Sequence, residues 1–266
     1  MVLAVGAGAV GAAAWGWFEA GWVRLRTVEC PVPGLPAELV GVRIAHLSDF
    51  HLGVPSRGAR AVELAVDWVA ARQPDIVCVT GDLLTRPAGL ESARALLARL
   101  PGAVVVLGNH DVGVAKDPLA ARSDHLDLGA TAVLNDEALE VDVRGRRVQL
   151  VGVDPRSELR RRAQPAELAD PDADLRILLC HFPRIVATLP PGAFHLILAG
   201  HVHDGQINIP YGRGKLRLGE PRARYPSGIY RTPAGTLHVS PGLGTTLVPF
   251  RFFARPEATE LLLQPA

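Results

Sequence analysis

Aspartate, histidine and asparagine residues directly follow five apolar stretches of this sequence, and they form its strongest chemical signal. Imidazole and carboxylate groups bind divalent cations such as Zn²⁺, Fe²⁺ and Mn²⁺, and soft thiolate is absent from these positions. The five segments are Ser48-Asp49-Phe50-His51, Gly81-Asp82, Gly108-Asn109-His110-Asp111, His181 and Gly200-His201-Val202-His203. Each segment alone is weak evidence, but their conjunction in this order predicts a site for divalent metal ions.

The apolar stretches before these segments have the length of buried β-strands, and patterns of helical periodicity separate the first three. The predicted strands that end at the polar segments span 42–47, 75–80, 103–107, 175–180 and 194–199, and the predicted helices span 57–72, 90–100 and 116–128. Further short strands are predicted at 139–143, 148–153, 206–209, 215–218, 228–231, 236–239 and 259–263. Because ligands of open α/β sheets bind at the carboxyl ends of strands, we expect the polar segments to meet at one rim. The pattern predicts an α/β body with two packed mixed sheets and helices outside.

Four further histidines do not follow a strand. His46, His195 and His238 lie within strand-like stretches, and His125 lies in a predicted helix. A histidine in such a position is more often a hydrogen-bonded core residue than a ligand, and we interpret these four as structural.

Composition limits the classes of protein to be considered. The chain has 266 residues with a formal net charge of +1, which allows one sizeable core and argues against a dedicated nucleic-acid-binding protein. Three cysteines, Cys30, Cys78 and Cys180, cannot form a disulfide framework in a chain of this length, so the redox compartment stays open.

The N-terminus has the composition of a membrane anchor. Residues 2–18 carry no charged side chain, and Trp15, Trp17 and Trp22 gather at the end of this stretch, as interfacial aromatics do. We expect residues 1–23 to form a single-pass transmembrane anchor or an uncleaved signal-like helix. Positive charge on the C-terminal flank alone, at Arg24 and Arg26, favours a cytoplasmic catalytic body. The alternatives are a cleaved signal peptide and an Ala/Gly-rich helix that is buried or mobile.

Proline marks the segment that follows. Pro31, Pro33 and Pro36 predict an extended linker over 24–37. The remaining residues, 38–266, are expected to form one catalytic domain.

The complete series of polar segments resembles the calcineurin-like metallophosphoesterase family. The Pro-Gly-Leu-Pro segment at 33–36 and Gly205-Gln206-Ile207 resemble, more narrowly, its bacterial membrane-associated phosphodiesterase-like branch. That branch usually has glycine where this chain has Asp204, a carboxylate that could alter substrate charge preference or point to solvent. The resemblance implies a four-layer α/β/β/α sandwich of two mixed β-sheets flanked by helices.

The resemblance also implies a dinuclear metal centre of Mn, Fe or Zn. Its ligands would be Asp49, His51 and His203 for the first ion and Asn109, His181 and His201 for the second, with Asp82 bridging both. His110 would stabilise the phosphate or protonate the leaving oxygen, and Asp111 would orient His110 through a hydrogen bond. A metal-bridging hydroxide would then attack phosphorus in line.

The substrate is less defined than the reaction class. We expect a phosphodiester of a phosphorylated small molecule or a lipid headgroup, with the N-terminal segment on a membrane. Two basic runs could line its approach or be solvated loops; they contain Arg156, Arg160, Arg161 and Arg162, and then Arg213, Lys215, Arg217, Arg222 and Arg224, interleaved with Tyr211 and Tyr225. The alternatives are a phosphomonoesterase, a nucleotide-lipid pyrophosphohydrolase and a non-catalytic metal-binding scaffold.

Overall fold

The computed structural model describes residues 2–114, 117 and 126–266. Its helices are α1 Val2–Ala20, α2 Gly58–Arg72, α3 Leu90–Leu97 and α4 Pro155–Leu159. Its strands are β1 Arg24–Val32, β2 Arg43–Leu47, β3 Ile76–Thr80, β4 Val104–Val106, β5 Ala132–Val133, β6 Glu137–Val143, β7 Arg146–Gly152, β8 Leu175–Leu179, β9 Leu196–Ala199, β10 Asn208–Tyr211, β11 Gly214–Arg217, β12 Gly228–Thr232, β13 Gly235–Val239 and β14 Glu257–Pro265.

Two mixed sheets of six strands each carry the fold. The first has the order β1-β14-β2-β3-β4-β5 and the second has the order β12-β13-β9-β8-β7-β6, while β10 and β11 form a separate hairpin. Strands β2, β3 and β4 are parallel to one another, and so are β7, β8 and β9. The carboxyl ends of neighbouring parallel strands therefore share an edge in each sheet.

Side chains alternate between the two faces of each strand, and the apolar ones form three layers of hydrophobic core. Ile44 of β2 and Ile177 of β8 lie in the core between the sheets, because successive side chains of a strand point to opposite faces. Ala45, on the other face of β2, packs with Val66 of α2. The outer face of the second sheet, at Leu178, packs on the 3₁₀ helix Pro183–Ala187. These layers confirm the predicted four-layer α/β/β/α sandwich.

Most of the segment expected to be a linker, 24–37, is instead part of the first sheet. Residues Arg24–Val32 form β1, which pairs in parallel with β14 over its full length, with Cys30 opposite Leu263. Cys30 is buried between the sheets. Because β1 is an edge strand, Pro31 is tolerated without the loss of a central ladder hydrogen bond.

The predicted transmembrane anchor is wrong. Among the described residues, none of the helices combines the length and the apolar character needed to cross a bilayer. The end of α1 instead contacts the folded body, because a Cβ at Gly16 would collide with the ring of Phe252. Glu19, at the end of α1, is buried and accepts a hydrogen bond from the Ala254 N–H (2.8 Å).

The remaining helices agree with the sequence to different extents. Helix α2 lies within the predicted 57–72, and α3 ends three residues before the predicted limit of 100. The predicted helix 116–128, together with His125, lies largely outside the described residues.

Candidate metal centre

The structure brings the seven predicted ligands together at the carboxyl ends of five strands. Asp49 and His51 follow β2, Asp82 follows β3 and Asn109 follows β4, while His181 follows β8. His201 and His203 follow β9. All seven are buried except His201, which is half-buried. The site thus lies where the two sheets present the ends of their parallel strands to each other.

Asp49, His51 and His203 form a first cluster. The Nε2 atoms of His51 and His203 are 3.1 Å apart, and Asp49 Oδ1 lies 3.3 Å from His203 Nε2. One ligand atom from each residue lies within 4.8 Å of the others. These atoms therefore face one point that a small cation could occupy.

A second cluster stands beside the first. Asn109 Oδ1 is 3.1 Å from His181 Nε2, and His201 Nδ1 is 3.2 Å from the same His181 atom. A neutral amide oxygen, an imidazole Nε2 and an imidazole Nδ1 thus converge here. This donor set suits a borderline divalent cation.

Asp82 lies between the two clusters. Its Oδ2 is 3.3 Å from His181 Nε2 and 3.6 Å from His51 Nε2. Its Oδ1 accepts a hydrogen bond from the His110 N–H (2.8 Å). A Cβ at Gly108 would collide with Asp82 Oδ1, which explains why glycine precedes Asn109 in the motif.

Most of the ligand backbones are strained. Asp49, His51, Asp82, His201 and His203 all have positive φ angles, between 49° and 72°. This left-handed region costs free energy for residues other than glycine. The loops that follow the strands hold these side chains toward the centre at that cost, as is typical of functional sites.

Hydrogen bonds from outside the site orient the imidazole rings. His51 Nδ1 lies 3.1 Å from Thr85 Oγ1, and His181 Nδ1 lies 2.8 Å from the carbonyl oxygen of Thr80. A proton on each Nδ1 satisfies these oxygens and leaves the Nε2 lone pair free for a cation. No motif in the sequence indicates Thr85, because its contact with His51 exists only in the folded chain.

His203 has a different partner. The guanidinium of Arg251 is fully buried and contacts His203 Nδ1 through its Nη2 (3.1 Å). Its remaining hydrogen bonds go to the carbonyl oxygens of Pro241, Gly244 and Ala254. Burial lowers the pKa of Arg251 to about 10. Arg251 therefore fixes the loop before β14 against the site, a role that sequence reasoning missed.

The carboxylates of Asp49 and Asp82 are ionised within the buried site. Burial alone would raise the pKa of Asp82, but His181 and His51 hold it well below its usual range. Burial opposes protonation of His181, yet the carboxylates of Asp82 and Asp49 raise the pKa of His181 to about 10. Burial lowers the pKa of His51 well below its usual value. Two ionised carboxylates in one buried site favour positive charge beside them, which fits divalent cations.

The predicted contact between His110 and Asp111 differs from the observed one. The Asp111 carboxylate accepts hydrogen bonds from the backbone N–H groups of Gly108, Leu83 and Leu84 at 2.9–3.1 Å. Burial, and then the charge of Asp82, raise the pKa of Asp111 to about 7. In the described part of the chain, His110 Nδ1 has no hydrogen-bond partner. The predicted hydrogen bond from Asp111 to His110 is wrong, because the carboxylate faces the backbone of the neighbouring loop.

Asp204 faces neither the solvent nor the two clusters. It is buried, and its carboxylate pairs with Lys215 Nζ (2.9 Å) and Arg217 Nε (3.5 Å) of the hairpin strand β11. Its φ of 50° is the conformation that favours glycine, and aspartate tolerates it better than most residues. Asp204 therefore anchors the hairpin beside the site and neutralises part of the second basic run.

Three of the histidines interpreted as structural lie away from the centre. His46 of β2 and His238 of β13 are buried, with their Nδ1 atoms 2.7 Å apart. His195 Nδ1 accepts a hydrogen bond from the Arg176 N–H (2.9 Å). Burial lowers the pKa of His238 to about 3 and that of His195 to about 4. These contacts agree with core roles.

A cavity of about 640 Å³ opens directly on the site. Asp82, Asn109, His110, His201 and His203 form its polar wall. Its apolar wall includes Val114, Leu159, Phe182, Leu218 and Leu247. A phosphate ester with an organic substituent fits a space of this size and lining.

The fold and this cluster of aspartate, histidine and asparagine define a metallophosphoesterase. The family model for calcineurin-like phosphoesterases matches residues 42–205, more than half of the chain. The chain belongs to this family of hydrolases, which confirms the predicted family.

Three relatives illustrate the relationship. The metallophosphoesterase YkoQ of Bacillus subtilis is 28% identical over 85% of this chain and 84% of its own length. Phosphodiesterase YaeI of Escherichia coli is 27% identical over 93% of this chain and 89% of its own length. A transmembrane protein with metallophosphoesterase domain from Danio rerio is 31% identical over 90% of this chain, which spans only 57% of that relative.

Proposed function

We propose that this protein is a phosphodiesterase that works with two divalent cations. The observation that carries the proposal is the position of Asp82, whose Oδ2 lies within 3.6 Å of histidine nitrogens from both clusters. A carboxylate in that position can serve two cations at once. Asp49, His51 and His203 would hold the first ion, and Asn109, His181 and His201 the second.

The chain's own side chains prepare the site for an anionic phosphate. When bound, the two cations supply Lewis acidity toward the phosphate oxygens and lower the pKa of water, which favours the hydroxide that attacks phosphorus. Asn109 contributes an oxygen without adding a charge that would repel the substrate. His110 lies in the cavity wall, from which its imidazole would donate a proton to the leaving oxygen.

Two observations support a diester as the substrate. The relative YaeI is named a phosphodiesterase. The site also adjoins two cavities, and His201 and Phe182 line both of them. A diester has two organic substituents, and each cavity can accept one.

The test compares a diester with a monoester. After treatment with a chelator, the protein is supplied with Mn²⁺, Zn²⁺ or Fe²⁺, and hydrolysis of bis-p-nitrophenyl phosphate and p-nitrophenyl phosphate is measured. We expect cation-dependent cleavage of bis-p-nitrophenyl phosphate. For a dialkyl phosphodiester, whose leaving alkoxide needs a proton, we expect a kcat about 10²- to 10⁴-fold lower in His110→Asn.

His195→Asn is the matched control, because this histidine is half-buried away from the centre. It should leave the rate unchanged. Cleavage of the monoester alone would contradict the proposal and indicate a phosphomonoesterase. Tight binding of cations without cleavage of either ester would indicate a scaffold.

A further inference from the structure

A second cavity, of about 660 Å³, shares part of its wall with the first. His201, Phe182 and Arg184 line both cavities. The second cavity also has an apolar wall made of Val186, Leu189, Tyr225 and Pro233. A substituent of a phosphate bound at the metal centre can therefore extend past His201 into this space.

Arg184 lies at the junction of the two cavities. Its guanidinium lies 4.5 Å from the centre of the Phe182 ring, and its Nε is 3.5 Å from Oε1 of Glu158, which is buried. Phe182 in turn packs edge-on against His201 at 4.6 Å. This stack places the exposed Arg184 guanidinium beside a ligand of the second metal, where it can bind an anion.

Two more arginines of the second cavity carry no ion pair within the described residues. Arg222 is exposed, and Arg224 lies 5.3 Å from the Tyr225 ring centre. By contrast, Lys215 and Arg217 of the same basic run pair with Asp204. Among the described residues that line this cavity, Glu220 is the one acidic side chain against three arginines.

We propose that the second cavity recognises an additional anionic group, such as a phosphate, on one substituent of the diester. Arg184, Arg222 and Arg224 would pair with that group while the phosphodiester lies at the metal centre. The inference rests on the proposed function and narrows its substrate class to phosphodiesters with a second anionic group. Neighbouring arginines suit such a group because each planar guanidinium can bind phosphate oxygens in a bidentate manner.

The test uses two matched pairs of diesters. The first pair is thymidine 5′-(p-nitrophenyl phosphate) with and without a 3′-phosphate. The second pair is phosphatidylglycerol phosphate and phosphatidylglycerol in detergent micelles, followed as loss of the diester by phosphorus NMR. We expect the additional phosphate to raise kcat/KM about tenfold or more in at least one pair. A gain in the first pair alone assigns a nucleotide substrate, and a gain in the second pair alone assigns a lipid headgroup.

The variants separate recognition from general charge. Arg224→Gln and Arg222→Gln should each reduce the ratio of kcat/KM within the responsive pair severalfold. Arg213→Gln is the matched control, because Arg213 is exposed on the hairpin and does not line the second cavity. It should leave the ratio unchanged.

The outcomes distinguish this inference from the function it rests on. Cleavage of bis-p-nitrophenyl phosphate without any gain from the additional phosphate in either pair would overturn the inference alone. A gain that all three variants reduce equally would also overturn it, because it would indicate a long-range charge effect. Failure to cleave any diester would overturn the proposed function itself.

Discussion

At the scale of single residues, the site depends on side chains that no motif contains. Thr85 is buried, and its Oγ1 lies 3.1 Å from His51 Nδ1. This contact holds the imidazole with Nε2 toward the first cluster. Partners of this kind set the orientation and basicity of a metal-binding histidine.

Replacing Thr85 should therefore weaken the metal centre without changing a ligand. In Thr85→Val we expect the affinity for the first cation to fall about 10- to 100-fold, as measured by competition with a chelator. Thr131→Val, a half-buried threonine remote from the site, is the control. An affinity equal to that of the wild type would show that Thr85 does not orient His51.

The sequence was informative about ligand types and uninformative about their partners. Asp49, His51 and Asp82 could be found because chain order alone places them directly after strands. Arg251 could not be found, since it reaches His203 across 48 residues of chain. The prediction for Asp111 was wrong because it relied on the sequence neighbour His110. The Asp111 carboxylate instead accepts hydrogen bonds from backbone N–H groups.

At the scale of elements, the end of α1 is joined to the segment before β14. Glu19 is buried, and its Oε1 and Oε2 accept hydrogen bonds from the Ala254 N–H (2.8 Å) and from Trp15 Nε1 (3.0 Å). The carbonyl oxygen of Gly16 accepts another from the Arg251 N–H (3.0 Å). The helix end thus supports the loop from which Arg251 contacts the site.

Removing the Glu19 carboxylate should destabilise the folded body. In Glu19→Ala the buried Ala254 N–H loses its partner, which costs about 1–3 kcal/mol of the free energy of unfolding. Urea denaturation of the full chain measures this change. Glu29→Ala, at an exposed position of β1, should stay within about 0.5 kcal/mol. Equal effects of the two substitutions would contradict the docking of α1.

Strands with local signals were predicted better than strands with distant partners. Strands β2, β3, β8 and β9 consist of short apolar stretches and lie close to their predicted limits. Strand β1 was mistaken for a linker because Pro31 at its end, and Pro33 and Pro36 after it, are typical of extended connections. Its partner β14 lies at the other end of the chain, and pairing over such a separation leaves no local pattern in the sequence.

At the scale of the whole molecule, the two sheets pack so that the strand ends of both provide ligands to one metal centre. The first sheet provides Asp49, His51, Asp82 and Asn109, and the second provides His181, His201 and His203. Neither sheet alone offers a complete set of ligands. Asp82 joins the two contributions, because it approaches His51 of the first sheet and His181 of the second.

The most direct test of this account is the number of cations that the protein binds. Titration of the chelator-treated chain with Mn²⁺ or Zn²⁺, followed by calorimetry and elemental analysis, gives the stoichiometry. We expect two tightly bound ions per wild-type chain, at most one in Asp82→Asn, and two in the exposed control Asp172→Asn. A wild-type stoichiometry below two, or an unchanged stoichiometry of two in Asp82→Asn, would contradict a centre in which Asp82 serves both ions.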